Sequence, residues 1–326
     1  MKKLSLLSLC LSLTVLVSFG QVDHYSFKEK YNVATPAQLE VSSADGNIDV
    51  VASSGNEIQV FYVAKRNGKT LDIRRKELEK DLIFEIVVEN NKLKIKIEDR
   101  FKNRNWGLMD AFDHIYVNLV IYAPGETASN LHTSDGNVSL TGLRGDQYIK
   151  TSDGNIEISR IAGNVVGKTS DGNVRIKDIR GSVEIGTSDG NIKLDNIIGN
   201  SQSSTSDGNI ELTNVKGNTS VRTSDGDIYI NRISGSFQGT TSDGNIRGEI
   251  IDLKKELVVK TGDGNINIKI PDRLGLDLDI RGESLHVPLS NFSGKSDKTV
   301  IRGKCNGGGI PVNLSTSDGN ITLSYL

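Results

Sequence analysis

Thr151-Ser152-Asp153-Gly154-Asn155-Ile156-Glu157-Ile158-Ser159-Arg160-Ile161-Ala162-Gly163-Asn164-Val165-Val166-Gly167-Lys168 is followed at once by Thr169-Ser170-Asp171-Gly172-Asn173-Val174-Arg175-Ile176. The quintet Thr-Ser-Asp-Gly-Asn begins at Thr133, Thr151, Thr169, Thr187, Thr205 and Thr241, with a variant ending in Asp227 at Thr223, always at intervals of 18 residues. A step of twenty leads to Thr261, a further 55 residues lead to Thr316, and a degenerate copy, Ser43-Ala44-Asp45-Gly46-Asn47, lies upstream. Such a fixed period is the mark of a repeat architecture.

Inside each unit the quintet precedes an apolar, any, apolar triplet, as in Ile156-Glu157-Ile158 and Ile192-Lys193-Leu194. That alternation is a short strand with one buried face. A third apolar residue follows (Ile161, Ile179, Ile197, Val215, Ile233), then a glycine two positions on (Gly163, Gly181, Gly199, Gly217, Gly235), then a second alternating stretch. Each unit therefore reads as two nine-residue halves, each a turn plus a strand.

Asp-Gly and Gly-Asn also suit tight hairpins, so an antiparallel meander has to be weighed. The constant spacing favours the alternative. In a coil of parallel strands, equivalent residues lie directly over one another at about 4.8 Å, and each strand satisfies its neighbour's backbone. Recurrence of the whole quintet, rather than of its glycine alone, then follows from stacking of identical turns. The expected fold is all-β: a single-chain parallel β-solenoid with 18-residue coils, right-handed by the crossover preference of parallel strands. Ten or eleven coils from Thr133 onward would make a rod roughly 50 Å long.

The rest of the chain fits around this array. Lys2 and Lys3, the apolar run Leu4–Phe19 and the small residues Ser18 and Gly20 read as a secretory signal peptide over 1–20, with the mature chain starting near Gln21. Of 39 Lys and Arg, two leave with it, so 37 face 41 Asp and Glu, a net charge of about −4 that does not suggest nucleic acid. No later segment approaches the ~18 apolar residues of a membrane span. Cys10 would leave with the signal, so Cys305 has no intrachain partner. After an extension over 21–35, residues 36–132 read as a strand-rich cap: strands at Leu39–Val50 and Glu57–Val63, a helix over Asp72–Leu82, and a hairpin of Phe84–Val88 with Leu93–Ile97. Residues 133–270 are the regular array, and 271–326 are looser coils that close it.

The strand-rich opening, the helix and hairpin, Val120-Ile121-Tyr122-Ala123-Pro124 before the first full repeat, and the run Cys305-Asn306-Gly307-Gly308-Gly309 before a final Ser-Asp-Gly-Asn-Ile strand resemble the bacterial "putative-adhesin" beta-strand-repeat family. The resemblance covers nearly all of the mature chain. It implies a β-solenoid at the cell envelope and carries no catalytic residue with it.

Asp135, Asp153, Asp171, Asp189, Asp207, Asp225 and Asp243 form one row, continued at Asp263 and Asp318. Neighbouring carboxylates at this spacing repel by about 0.9 kcal/mol even at the dielectric of water. The favoured expectation is that backbone N–H groups of each turn hold the carboxylates, with the adjacent glycine at positive φ. The minority expectation is calcium between coils, against which only one half of each unit carries a regular Asp. A carbohydrate-active enzyme is disfavoured because the coils are too short to border a cleft, and His24, His114, His132 and His286 show no ligand or triad spacing. No catalytic residue or cofactor is expected. The pattern-free segment Phe101–Tyr116, with Trp106, Arg104 and Phe112, is the candidate binding loop, since aromatic and Arg side chains anchor interfaces. The reading is an exported, non-enzymatic, adhesin-like or envelope module, periplasmic, cell-surface or extracellular, whose partner is an envelope component or an extracellular glycan or protein. An envelope-stress regulatory role is a further alternative.

Overall fold

A computed structural model describes residues 24–100 and 114–326 of the chain. The signal-peptide reading and the candidate loop residues Trp106, Arg104 and Phe112 therefore lie outside the described residues. The described chain is all-β: 27 strands in one continuous sheet and a single four-residue helix, Arg75–Leu78.

The repeat builds the sheet as the spacing predicts. Ile156 pairs in parallel with Val174, Val174 with Ile192, Ile192 with Ile210 and Ile210 with Ile228, each 18 residues on. These five are at most 1% exposed and form one interior column. The second strands stack likewise, Val165 on Val183, then Ser201, Thr219 and Phe237. Most interior positions are Val, Ile or Leu; Ser201 and Ser203, both buried, are exceptions. Large aromatics collect instead at the N-terminal end, where Phe27 stacks on Tyr62 with ring centroids 4.4 Å apart and Phe84 meets both rings edge-on. Burial, the 3.1 Å hydrogen bond with Tyr31 and, less, the nearby Glu29 carboxylate push the Tyr62 hydroxyl far above its ordinary pKa, so it stays protonated.

Each coil changes direction at three places, one more than the two-turn reading. Arg160, Asp178, Asn196, Asn214 and Arg232 all adopt left-handed backbone, with φ between 52° and 59°, and the parallel pairing skips them. Asn and Asp tolerate that region better than most residues, and the preceding unit uses Gly142 at its corner. The glycines of the second turn do sit at positive φ, Gly181 at 153°. Those of the Asp-Gly step do not, which corrects the expectation; they are glycine for lack of room. A Cβ on Gly172 would lie 1.9 Å from the carbonyl oxygen of Gly154 in the coil below.

The ends depart further from the sequence reading. The predicted helix over 72–82 shrinks to Arg75–Leu78, because Leu82 begins a strand, Leu82–Glu89, that pairs antiparallel with Lys92–Asp99. Leu78 and Leu82 are buried all the same, so the apolar spacing was a packing signal and not a helical one. The strand expected over Leu39–Val50 breaks into Ala37–Ser43 and Ile48–Ser53 around the degenerate quintet, and that turn stacks under the first full one: Thr133 Oγ1 donates to the Gly46 carbonyl at 3.1 Å. Parallel pairing thus runs unbroken across residue 133, with Ile48 on Val138 and Ser129 on Gln147.

Sequence order and spatial order part company near the C terminus. Ile310–Ser315 pairs in parallel with both the Leu257–Lys260 stretch and Leu276–Arg281, and Asn320–Tyr325 lies between Ile266–Ile270 and Ser284–His286. The last coil in sequence is therefore inserted between two earlier ones. Val300–Cys305, expected to continue the coil, instead runs antiparallel to Leu276–Arg281 and carries Ser293–Ser296 on its outer side. At the other end, Glu57–Arg66 runs antiparallel to Ile115–Pro124 and to Phe27–Asn32. Antiparallel strands so occupy both ends of the parallel ladder.

Candidate functional site

The aspartate row is present, but its chemistry is not the expected one. All nine carboxylates from Asp135 to Asp318 are exposed, and no hydrogen bond to their side chains exists among the described residues. The turn is held instead by the residues on either side. Thr169 Oγ1 donates to the carbonyls of Ser152 (2.9 Å) and Gly154 (3.0 Å) one coil below and accepts the Gly172 N–H, an arrangement repeated at Thr151, Thr187, Thr205, Thr223 and Thr241. Asn173 Oδ1 accepts the Asn191 backbone N–H at 2.9 Å, as Asn155 does for Asn173 and Asn191 for Asn209. The two residues that look incidental beside Asp-Gly are thus the ladder, and their recurrence in every unit was the signal that could have found them. A second ladder follows the other glycine, where Asp146, Asn164 and Asn200 accept the backbone N–H one coil on.

The aspartates are left facing solvent. Among the described residues no three His, Cys, Asp or Glu side chains gather closely enough to share an ion. At the N-terminal end of the row, His114 Nε2 lies 2.6 Å from Asp45 Oδ2 and its Nδ1 3.6 Å from Asp99 Oδ2. Partial burial and the carboxylates of Asp45 and Asp153 raise the Asp135 pKa. The other histidines, His24, His132 and His286, are exposed and apart from this cluster.

Two long grooves follow the outer faces. One, about 890 Å³, runs beside the asparagine ladder past Glu157, Arg175, Lys193 and Glu211, and its charges are partly paired, Lys193 Nζ lying 2.7 Å from Glu211 Oε1. The other, about 700 Å³, lies over the second strands and is floored by Val166, Glu184, Gln202, Ser220 and Gln238, one from each successive coil. Lys255 and Glu256 form its end wall. They belong to the coil with two extra residues: Gly235 pairs with Leu253 but Phe237 with Leu257, so the surplus chain bulges outward between those pairs. The sequence step of twenty announced an insertion without showing where it would emerge.

A rod of stacked parallel coils that keeps its repeating side chains on its outer faces defines a solenoid-like, surface-presenting protein. The chain belongs to the Toastrack DUF4097 family, whose model matches residues 36–324. Solved structures match at low identity over most of both chains. A "putative lipid binding protein" from Parabacteroides distasonis is 14% identical with a TM-score of 0.38, over 92% of this chain and 96% of that one. A "putative adhesin" from the same organism is 15% identical (TM-score 0.33), and one from Bacteroides fragilis 13% (TM-score 0.31), each over 92% of this chain and 96% of its own. No curated protein matches the sequence.

Proposed function

We propose that the chain is an exported, non-enzymatic, adhesin-like module of the cell envelope that binds through its long outer faces. The coil is right-handed in this reading, and the antiparallel strands at its N-terminal end cap it against end-to-end association. The observation that carries the proposal is the uninterrupted parallel ladder, which gives each successive coil the same exposed turn and outward columns. A surface of that kind supports weak contacts repeated along one axis, whose sum is large when the partner is itself repetitive. No helix of the described residues is long and apolar enough to cross a membrane.

Two measurements test this. Expression of the full chain with cell fractionation and N-terminal sequencing should find a protein starting near Gln21 outside the cytoplasm. The purified protein should sediment with isolated cell envelopes or with extracellular polymer from the same cells. Retention in the cytoplasm with its first residues intact, or failure to sediment with any of these fractions, would sink the proposal.

A further inference from the structure

The two grooves differ in how their side chains are employed. Beside the first, the asparagine amides bond to one another up the ladder, Asn155 Nδ2 donating to Asn137 Oδ1 at 3.0 Å, and part of the charge is paired. In the second, the side chains of Gln202, Ser220 and Gln238 have no hydrogen-bond partner among the described residues. Asn164 and Asn200 on its border use Oδ1 to accept a backbone N–H, and their Nδ2 atoms have no partner among the described residues. The middle of this groove therefore presents amide and hydroxyl groups at one step per coil, about 4.8 Å. Three charged residues line it, Glu184, Lys255 and Glu256, two of them at the end wall.

The register extends the same column beyond the other end of the groove. Tyr148 pairs with Val166, so it is the next outward residue in line, and it is 41% exposed. One axis thus carries an exposed aromatic ring, then Val166 and Glu184, then unpartnered amides and a hydroxyl, then a raised wall. The backbone beneath is consumed by parallel pairing on both sides, which removes strand addition as a mode of binding and leaves side chains alone to make contact.

From this arrangement we infer that the groove over the second strands binds an extended, neutral polysaccharide chain lying along the rod. Tyr148 offers a flat, rigid face to a sugar ring at one end. The Gln202 and Gln238 amides, each with donors and an acceptor, take paired hydroxyl groups in the middle. Lys255 and Glu256 stop the chain at the other end, and Glu184, between Val166 and Gln202 in the column, disfavours an anionic polymer. The inference names a ligand class for the proposed binding function and rests on it.

Isothermal titration of the full mature chain with cellohexaose, xylohexaose and chitohexaose, and with hexagalacturonate and an extended Ser-Gly peptide as comparisons, tests it. At least one neutral hexaose should bind, and hexagalacturonate and the peptide should not. The double variant Gln202→Ala/Gln238→Ala should weaken binding at least tenfold at an unchanged melting temperature; Tyr148→Ala should do the same and Tyr148→Phe should not. Binding of none of the neutral hexaoses, tighter binding of the anionic one or the peptide, or indifference to either the double variant or Tyr148→Ala overturns the inference. If the protein sediments with envelopes while the variants match it in every titration, the groove assignment fails and the proposed function stands. Hexaose binding that follows the variants without envelope binding reverses that outcome.

Discussion

The hydroxyl of Thr205 lies 3.0 Å from the carbonyl oxygen of Gly190, fifteen residues earlier in sequence and one coil below in space. The same hydroxyl reaches the Ser188 carbonyl at 2.9 Å and accepts the Gly208 N–H at 3.3 Å. One buried side chain so closes its own turn and fastens it to the previous one.

Thr205→Val, which keeps the shape and deletes the hydroxyl, should cost about 1–3 kcal/mol, the range for leaving buried polar groups unsatisfied. Thr205→Ser should cost less, because the hydroxyl stays. Urea denaturation of the two variants side by side checks this, and equal stabilities would refute the role given to the hydroxyl.

The exposed aspartates should behave in the opposite way. The Asp189 carboxylate makes no hydrogen bond among the described residues, and it stands one coil, about 4.8 Å, from like charges above and below. Asp189→Asn should leave the melting temperature unchanged or raise it, with the gain larger at low salt, where screening is weaker. Melting curves with and without EDTA should coincide; a drop on chelation that calcium restores would establish an ion between coils.

Glycine substitutions should separate crowding from backbone freedom. Gly172→Ala places a methyl 1.9 Å from the Gly154 carbonyl oxygen, and should destabilise by more than the ~1 kcal/mol typical of a point mutation. Gly181→Val meets a backbone oxygen at 2.2 Å and a φ of 153°, and should do at least as much harm. Gly186→Ala is the control, since the nearest atom to its Cβ, Ser204 Oγ, is 3.6 Å away. It should be neutral or stabilising by about 0.4–1 kcal/mol through the unfolded chain. Similar losses at Gly172 and Gly186 would contradict the packing account.

Burial raises the Asp49 pKa, with no opposing partner. A carboxyl whose folded pKa lies above its unfolded value binds its proton more tightly when folded, so its ionisation opposes folding. The penalty is absent below the unfolded value near ~3.9 and complete above the raised folded one. Asp49→Asn should therefore raise the melting temperature at pH 7 and leave it unchanged at pH 3. A pH-independent difference would point to a cause other than this ionisation.

Sequence alone determined the parallel stack, its 18-residue register and the inward columns such as Ile156 to Ile228, because a constant period from Thr133 to Thr241 leaves near-identical turns one low-energy arrangement, one above another. It also announced an insertion between Thr241 and Thr261. Tertiary structure decided which turn residues bear the load. Asp, Thr and Asn recur equally in the string, and only the direction of each side chain gives Thr and Asn their bonds and leaves Asp in water. It decided as well that residues 310–325 slot between earlier coils and that Tyr148 lines up with the groove of Gln202. Outside the array no period fixes the pairing, so strand order there is settled by which distant segments together bury their apolar faces and satisfy the exposed backbone of the last coils, a choice made by the whole chain and not by any stretch of it.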